Sequence, residues 1–134
     1  MISEPMTLAT DYLLAVVVAL LARRLWQAGG KGGQLSVRLW GAAFFASALA
    51  ALSGGTYHGF ISLLGPGAAV LLWKLTVYAV GLASLLLTVA AVWACCRGRL
   101  RMVLLAAAGL KFVVYGVWMA THNAFTYVIY DYAP

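Results

Sequence analysis

The sequence has very little charge. Only 9% of its 134 residues are Asp, Glu, Lys or Arg, whereas 65% are hydrophobic. A soluble domain has about 25% charged residues, so water would not solvate a surface of this composition. Lipid is the alternative solvent, and the long apolar runs leave little room for an additional soluble domain. The composition therefore predicts an integral membrane protein.

Acidic residues are the scarcest charged type, with three against nine Lys and Arg. Most of the basic residues fall into two clusters between apolar runs, namely Arg23, Arg24, Lys31 and Arg38, then Arg97, Arg99 and Arg101. Nucleic-acid-binding proteins usually carry a solvent-facing basic stripe instead. Basic clusters between spans are typical of cytoplasmic loops. We therefore predict cytoplasmic basic loops, both termini outside, a bacterial inner membrane and no nucleic-acid partner.

Four apolar segments are long enough to cross a membrane, which takes about 20 helical residues. They cover residues 7–26, 39–60, 68–95 and 100–121. Glycine-rich or Pro-containing breaks separate them, and the aromatic tail from Asn123 to Pro134 suits an interfacial segment better than a fifth span. The predicted fold is all-α: a single transmembrane domain over residues 1–134, built as a four-helix bundle.

Several enzyme signatures are missing. The sequence contains no G-x-S-x-G elbow, no P-loop and no dinucleotide-binding fingerprint. The adjacent Cys95 and Cys96 lie beside the second basic cluster, on the predicted reducing side, where structural disulfides are rare. We interpret them as small helix-end residues, with acylation as the alternative.

Small residues dominate the second predicted span. Two rows follow four-residue spacing: Ala42, Ala46, Ala50 and Gly54, then Ala43, Ser47, Ala51 and Gly55. Membrane helices associate through close packing of such residues. We therefore predict that this helix is central, and that the protein forms a homo-oligomer or binds other membrane subunits besides its contact with membrane lipids.

Polar residues within the spans gather near the predicted outer end. Asp11, His58, Lys74 and His122 fall there, whereas Lys111 lies deeper, about 16 Å below His122 at 1.5 Å per residue. A charge near the bilayer centre is costly and by default marks a functional position. The predicted buried polar residues are Lys111, Lys74, Tyr115, Tyr78 and Ser53.

The two histidines permit three interpretations. They can be hydrogen-bonded residues of the bundle with no further role. They can bind a metal such as zinc, for which Asp11, Glu4 and Asp131 are the available acidic ligands. They can also be the axial ligands of a haem-type pigment, since His58 and His122 come from different helices at similar predicted depth.

The segment from Ser53 to Ser62, SGGTYHGFIS, resembles the second-helix motif of the alkaline ceramidase superfamily, which includes the adiponectin-receptor-like proteins. The resemblance implies a zinc-dependent membrane hydrolase in which His58 binds zinc and Ser53 is the site serine. The sequence departs from that family's pattern at Lys74, where the family usually has an aspartate in this helix, and at His122, which lacks a second histidine four residues later. The family also has seven spans.

Three functions are compatible with these observations. The first is a non-enzymatic accessory, assembly or cofactor-holding subunit of a membrane complex, favoured by small size and dense packing surfaces. The alternative is a zinc-dependent lipid amidase or hydrolase, in which the metal activates water. The third is a transporter of an anionic solute with Lys111 as its counter-charge; otherwise Lys111 contacts Asp11, backbone carbonyls or an acid of a partner subunit.

Overall fold

The computed structural model describes residues 2–132, which form five α-helices connected by short turns. In chain order they are α1 Pro5–Lys31, α2 Leu35–Phe60, α3 Pro66–Cys95, α4 Gly98–Thr121 and α5 Thr126–Tyr132. The first four are long and apolar enough to span a membrane. The predicted all-α fold with four membrane-spanning helices is confirmed.

Turn residues explain where α3 and α4 begin. Pro66 lies in the first turn of α3, where its missing N–H costs no hydrogen bond. Gly98 begins α4 with a φ of 60°, a left-handed conformation that glycine adopts readily. The breaks predicted on either side of α3 are therefore present.

The turn between α1 and α2 is shorter than predicted. α1 extends to Lys31 instead of ending near Trp26, and a turn of three residues follows. Gly29 remains helical and lets α2 approach closely, because a Cβ at this position would lie 2.8 Å from the backbone nitrogen of Arg38. The glycines of this segment thus serve helix packing as well as the turn.

Packing follows chain order. α2 packs against α1 on one side and α3 on the other, and α3 also contacts α4 and α5. The start of each long helix lies beside the end of the one before it, as where Gly41 meets Trp26, so consecutive helices are antiparallel. The turns that carry the basic clusters consequently share one end of the molecule, the basic end. Glu4 and Asp11 lie towards the opposite end, here called the far end.

α1 and α2 meet through small residues. The buried positions repeat every seven residues on both helices: Ala15, Ala22 and Gly29 on α1, and Gly41, Ala48 and Gly55 on α2. This repeat keeps one face of each helix against its partner. A Cβ on Gly41 would lie 3.0 Å from the Trp26 backbone nitrogen, so the two backbones are nearly in contact.

The interior is built largely of alanine, while most large apolar side chains lie on the outside. Ala43, Ala83 and Ala90 are fully buried, whereas Leu71 and Val117 are about 70% and 69% exposed. Lipid is as apolar as leucine, so a membrane helix gains little by burying large aliphatic groups. This distribution fits a chain surrounded by hydrocarbon.

α3 and α4 are joined by two reciprocal tyrosine hydrogen bonds. The Tyr115 hydroxyl donates to the Val77 carbonyl at 2.7 Å, and the Tyr78 hydroxyl donates to the Gly116 carbonyl at 3.1 Å. Gly81 makes room for the Tyr115 ring, because any Cβ there would overlap it. Large side chains thus bridge this interface, in contrast to the close backbones of α1 and α2.

The tail folds back against the bundle as the short helix α5, which is not among the helices long enough to span a membrane. α5 packs on α3, and its Val128 is 2% exposed within the apolar core around Met119. The Asp131 side chain is 6% exposed and lies 3.3 Å from the Lys111 ammonium, which also bonds the Asp131 carbonyl. The physical reason is charge pairing: each of these two groups supplies the counter-charge that the other lacks in an apolar environment.

Candidate ligand-binding cavity

A cavity of about 570 Å³ lies between α1, α2 and α3. Asp11 of α1 and His58 of α2 line it together with Trp73 and Thr76 of α3, and Phe125 contributes from the segment before α5. The remaining lining residues are small or apolar, namely Leu14, Ser47, Ala50, Ala51, Gly54 and Val80. Four parts of the chain therefore converge on one space.

The cavity is elongated, and its lining becomes less polar from the far end towards the middle of α2. His58 and Ser47 are eleven residues apart on α2, which corresponds to about 16 Å along the helix axis. The charged lining residues fall towards the far end, while the rest of the α2 wall consists of Ala50, Ala51 and Gly54. Small side chains leave space here that bulkier residues would fill.

Asp11 fits into the α1–α2 contact because Gly55, which lies opposite it, has no side chain. A Cβ on Gly55 would lie 2.8 Å from the Asp11 Cβ and 3.1 Å from the Tyr12 ring. The Tyr12 hydroxyl is bound elsewhere, 2.9 Å from the Thr56 hydroxyl. Among residues 2–132, no group donates a hydrogen bond to the Asp11 carboxylate, and no Lys, Arg or His forms an ion pair with it.

His58 lies at the far end of the cavity beside Glu4. Its Nδ1 is 3.5 Å from a Glu4 carboxylate oxygen, and its ring contacts Tyr57 edge-on. Two hydrogen bonds fix the N-terminal segment here: the Ser3 backbone N–H donates to the Gly59 carbonyl at 2.9 Å, and the Ser3 hydroxyl donates to that of Ser62 at 3.0 Å. His58 therefore has an acidic partner from its own chain.

Aromatic rings form the wall opposite α1. The Trp73 ring lies 5.2 Å from that of Tyr57 and 6.0 Å from that of Phe125, measured between centroids. The Trp73 indole N–H donates to the Asn123 carbonyl at 2.9 Å, which ties the segment before α5 to α3. This hydrogen bond positions Phe125 at the cavity.

The structure places His122 away from this cavity. Its ring stacks on that of Trp118 at 4.1 Å with a 2° interplanar angle, and Tyr127 contacts it edge-on. Its Nδ1 lies 3.0 Å from both the Thr121 hydroxyl and the Trp118 carbonyl. Of the predicted cofactor residues, the cavity thus brings together Asp11 and His58, while His122 belongs to the contact between α4 and α5.

No group of three or more His, Cys, Asp and Glu residues with metal-binding proximity occurs in the described part of the chain. Ser53, the serine of the ceramidase-like segment, is 3% exposed and donates to the Leu49 carbonyl at 2.8 Å. The Thr76 hydroxyl lies 3.0 Å from the Ser53 hydroxyl, so the pair links α2 to α3. In this geometry Ser53 has a packing role.

Both membrane lysines have partners within the chain. The Lys74 ammonium donates to carbonyls at the end of α4, including those of Met119, Ala120 at 3.1 Å and His122 at 3.4 Å. A cation at a helix C-terminus satisfies free carbonyls and stabilises the helix dipole. Lys111 pairs with Asp131, but its side chain is 49% exposed, so the prediction that it is buried was wrong. The reason is that α4 lies at the edge of the row of helices.

Sequence reasoning did not identify Trp73, Thr76 and Phe125 as cavity residues. Trp73, Thr76 and Val80 follow three- and four-residue spacing, which places them on one face of α3. That spacing was a usable signal. Phe125 carried none, because its position depends on the hydrogen bond between Trp73 and Asn123.

The sequence matches one known protein family. Residues 6–134 match DUF6962, a family of unknown function. The chain belongs to the DUF6962 family. No curated protein and no solved structure shows significant similarity to it. The DUF6962 match covers every residue that lines the cavity, so the site lies within the family region.

Proposed function

We propose that this protein is a small, non-enzymatic membrane component that holds an amphiphilic ligand in the cavity between α1, α2 and α3, as an accessory or cofactor-holding subunit of a larger membrane complex. The cavity itself carries the proposal. Its volume of about 570 Å³ is within the range of ligand-binding sites, about 300–1,000 Å³. Its apolar length and polar end match a molecule with a head group and an apolar body.

Three other polar side chains of the spans are hydrogen-bonded or ion-paired within the protein, and this supports a holding role. Ser53, Lys74 and Lys111 each bond to a neighbouring helix or to the tail. Such groups stabilise the fold and are not free to act as a nucleophile or base. The lysine contacts also disfavour the transport of an anionic solute, since Lys111 already has a counter-charge in Asp131.

The charge distribution supports a proposal for the orientation of the protein in the membrane. Basic residues gather at one end of the molecule, and the positive-inside rule assigns that end to the cytoplasm. We propose a bacterial inner membrane with the far end outside. Partner subunits or a second copy of the chain would cover the apolar exterior together with lipid, and purification in mild detergent is expected to retain them.

Binding of a neutral, environment-sensitive apolar fluorophore tests the ligand-holding role. We expect saturable binding to the protein in lipid nanodiscs and a loss of about tenfold or more in Ala51→Phe, because the added ring fills the cavity. Ala107→Phe is the matched control, since Ala107 is exposed on α4 outside the cavity. Absence of saturable binding, or equal binding by both variants and the wild type, would refute the proposal.

The zinc-dependent hydrolase is the second candidate, because two residues of zinc-binding type, Asp11 and His58, line the same cavity. It requires at least one further ligand beyond these. Zinc near one equivalent per chain, lost in His58→Ala, would favour the hydrolase over the holding role. We expect less than about 0.1 equivalent, because a structural or catalytic site takes three or four protein ligands.

A further inference from the structure

The three acidic residues of the chain differ in their partners. Glu4 lies beside His58 at 3.5 Å, and Asp131 lies beside Lys111 at 3.3 Å. Asp11 is the third, and no residue among 2–132 pairs with its carboxylate or donates a hydrogen bond to it. An isolated carboxylate inside a membrane is costly. A ligand that neutralises Asp11 would remove this cost.

No basic side chain is available to do so from within the described structure. No Lys or Arg lines the cavity. Lys74 is occupied by the carbonyls at the end of α4, and Lys111 by Asp131. His58 is the one basic group of the lining, and Glu4 offsets its charge when it is protonated. Asp11 is therefore the charged lining residue whose charge no side chain among residues 2–132 offsets through an ion pair.

The aromatic wall adds a second feature that favours positive charge. The faces of Trp and Phe attract ammonium groups through the ring quadrupole, most strongly where water is excluded. Trp73 and Phe125 line the same cavity as Asp11. A carboxylate combined with aromatic rings is the chemistry that recognises protonated or quaternary amines.

We infer that the ligand is an amphiphile with a cationic amine head group, its charge at Asp11 and its apolar body along the α2 wall towards Ser47. The inference rests on the proposed ligand-holding function and adds the charge of the ligand. It also gives Asp11 a role in binding rather than in metal ligation.

Tetraphenylphosphonium and tetraphenylborate provide the test, because they share one shape and carry opposite charges. Their binding to the wild type in nanodiscs is measured by equilibrium dialysis, with subtraction of the uptake by empty nanodiscs. We expect a preference for the cation of about tenfold or more, since the Asp11 carboxylate attracts the cation and repels the anion. Asp11→Asn should remove this preference.

Two further variants keep the test decisive. Glu4→Gln removes an acid at the same end that is not among the lining residues, and it should retain most of the preference. Ala51→Lys places an ammonium within the cavity that Asp11 also lines, and it should abolish cation binding even if Asp11→Asn does not fold. Folding of each variant is checked by circular dichroism.

The outcomes distinguish a failure of the inferred ligand charge from a failure of the proposed ligand-holding function. If the neutral fluorophore binds but the wild type shows no cation preference, or the preference survives in both Asp11→Asn and Ala51→Lys, the cationic ligand is refuted and the holding role stands. If the neutral fluorophore does not bind to the cavity, the holding role itself fails.

Discussion

α1 and α2 meet through alanine and glycine, whereas α3, α4 and α5 meet through tyrosine, lysine and aspartate. In the first interface, a Cβ on Gly41 would come within 3.0 Å of the neighbouring backbone. In the second, Tyr115 spans from α4 to the Val77 carbonyl of α3. Both solutions answer the same problem, because lipid provides little hydrophobic drive for helices to associate.

The two solutions are sensitive to opposite changes. Close backbones tolerate the loss of a methyl group but not the addition of one, since there is no flexible side chain to move aside. Bridging side chains do not tolerate their own removal, which leaves a gap and unpaired polar groups. Three experiments, ordered by expected effect, test this contrast by equilibrium unfolding in mixed detergent micelles.

Tyr115→Ala should have the largest effect, a loss of about 3 kcal/mol, because a buried aromatic ring is removed from a site that has no other side chain to fill it. The ring is 7% exposed and faces Gly81. Tyr115→Phe keeps the ring and loses the hydrogen bond to Val77, so it should cost about 0.6 kcal/mol. Equal losses in the two variants would show that the hydrogen bond, not the ring, joins α3 to α4.

Gly41→Leu should cost about 2 kcal/mol, because the new side chain meets backbone atoms of α1 that cannot yield. Its nearest neighbours would be the Trp26 nitrogen at 3.0 Å and the Ala22 carbonyl oxygen at 3.1 Å. Gly109→Leu is the control, since a Cβ on Gly109 has no neighbour within 4 Å. A stable Gly41→Leu protein would mean that α1 and α2 separate more easily than their small-residue contact implies.

The ion pair of Lys111 and Asp131 should show the smallest coupling, about 1 kcal/mol in a double-mutant cycle with Lys111→Met and Asp131→Asn. The Asp131 side chain is 6% exposed while that of Lys111 is 49% exposed, so the pair is only half shielded. Additive effects of the two single substitutions would indicate that α5 docks through Val128 and its apolar neighbours alone.

The long helices could be predicted from the sequence because span length and turn residues are local signals. Pro66 and Gly98 fixed the starts of α3 and α4 to within two residues of the predicted ones. The fold-back of α5 could not be predicted in this way. It depends on Asp131 meeting Lys111 and on Trp73 meeting Asn123, pairs that are separated by 20 and 50 positions in the chain.

The candidate site was predictable in part. The small-residue rows of α2 indicated a packed helix, and Gly54 indeed faces α3, with a Cβ position 3.3 Å from the Thr76 methyl. The seven-residue repeat that runs through Ala48 towards α1 was not recognised, since a four-residue rule selects a different face. His58 and Asp11 were expected to be near each other, whereas the sequence offered no means of separating His122 from them.

The hydrogen bond from Trp73 to Asn123 also bears on the order of assembly. α1, α2 and α3 can pack as each is synthesised, because neighbours in the chain are neighbours in the structure. Phe125 reaches the cavity only after α4 has crossed the membrane and the following segment has docked on α3. The cavity is thus bounded by α1, α2 and α3 during synthesis before Phe125 completes its lining.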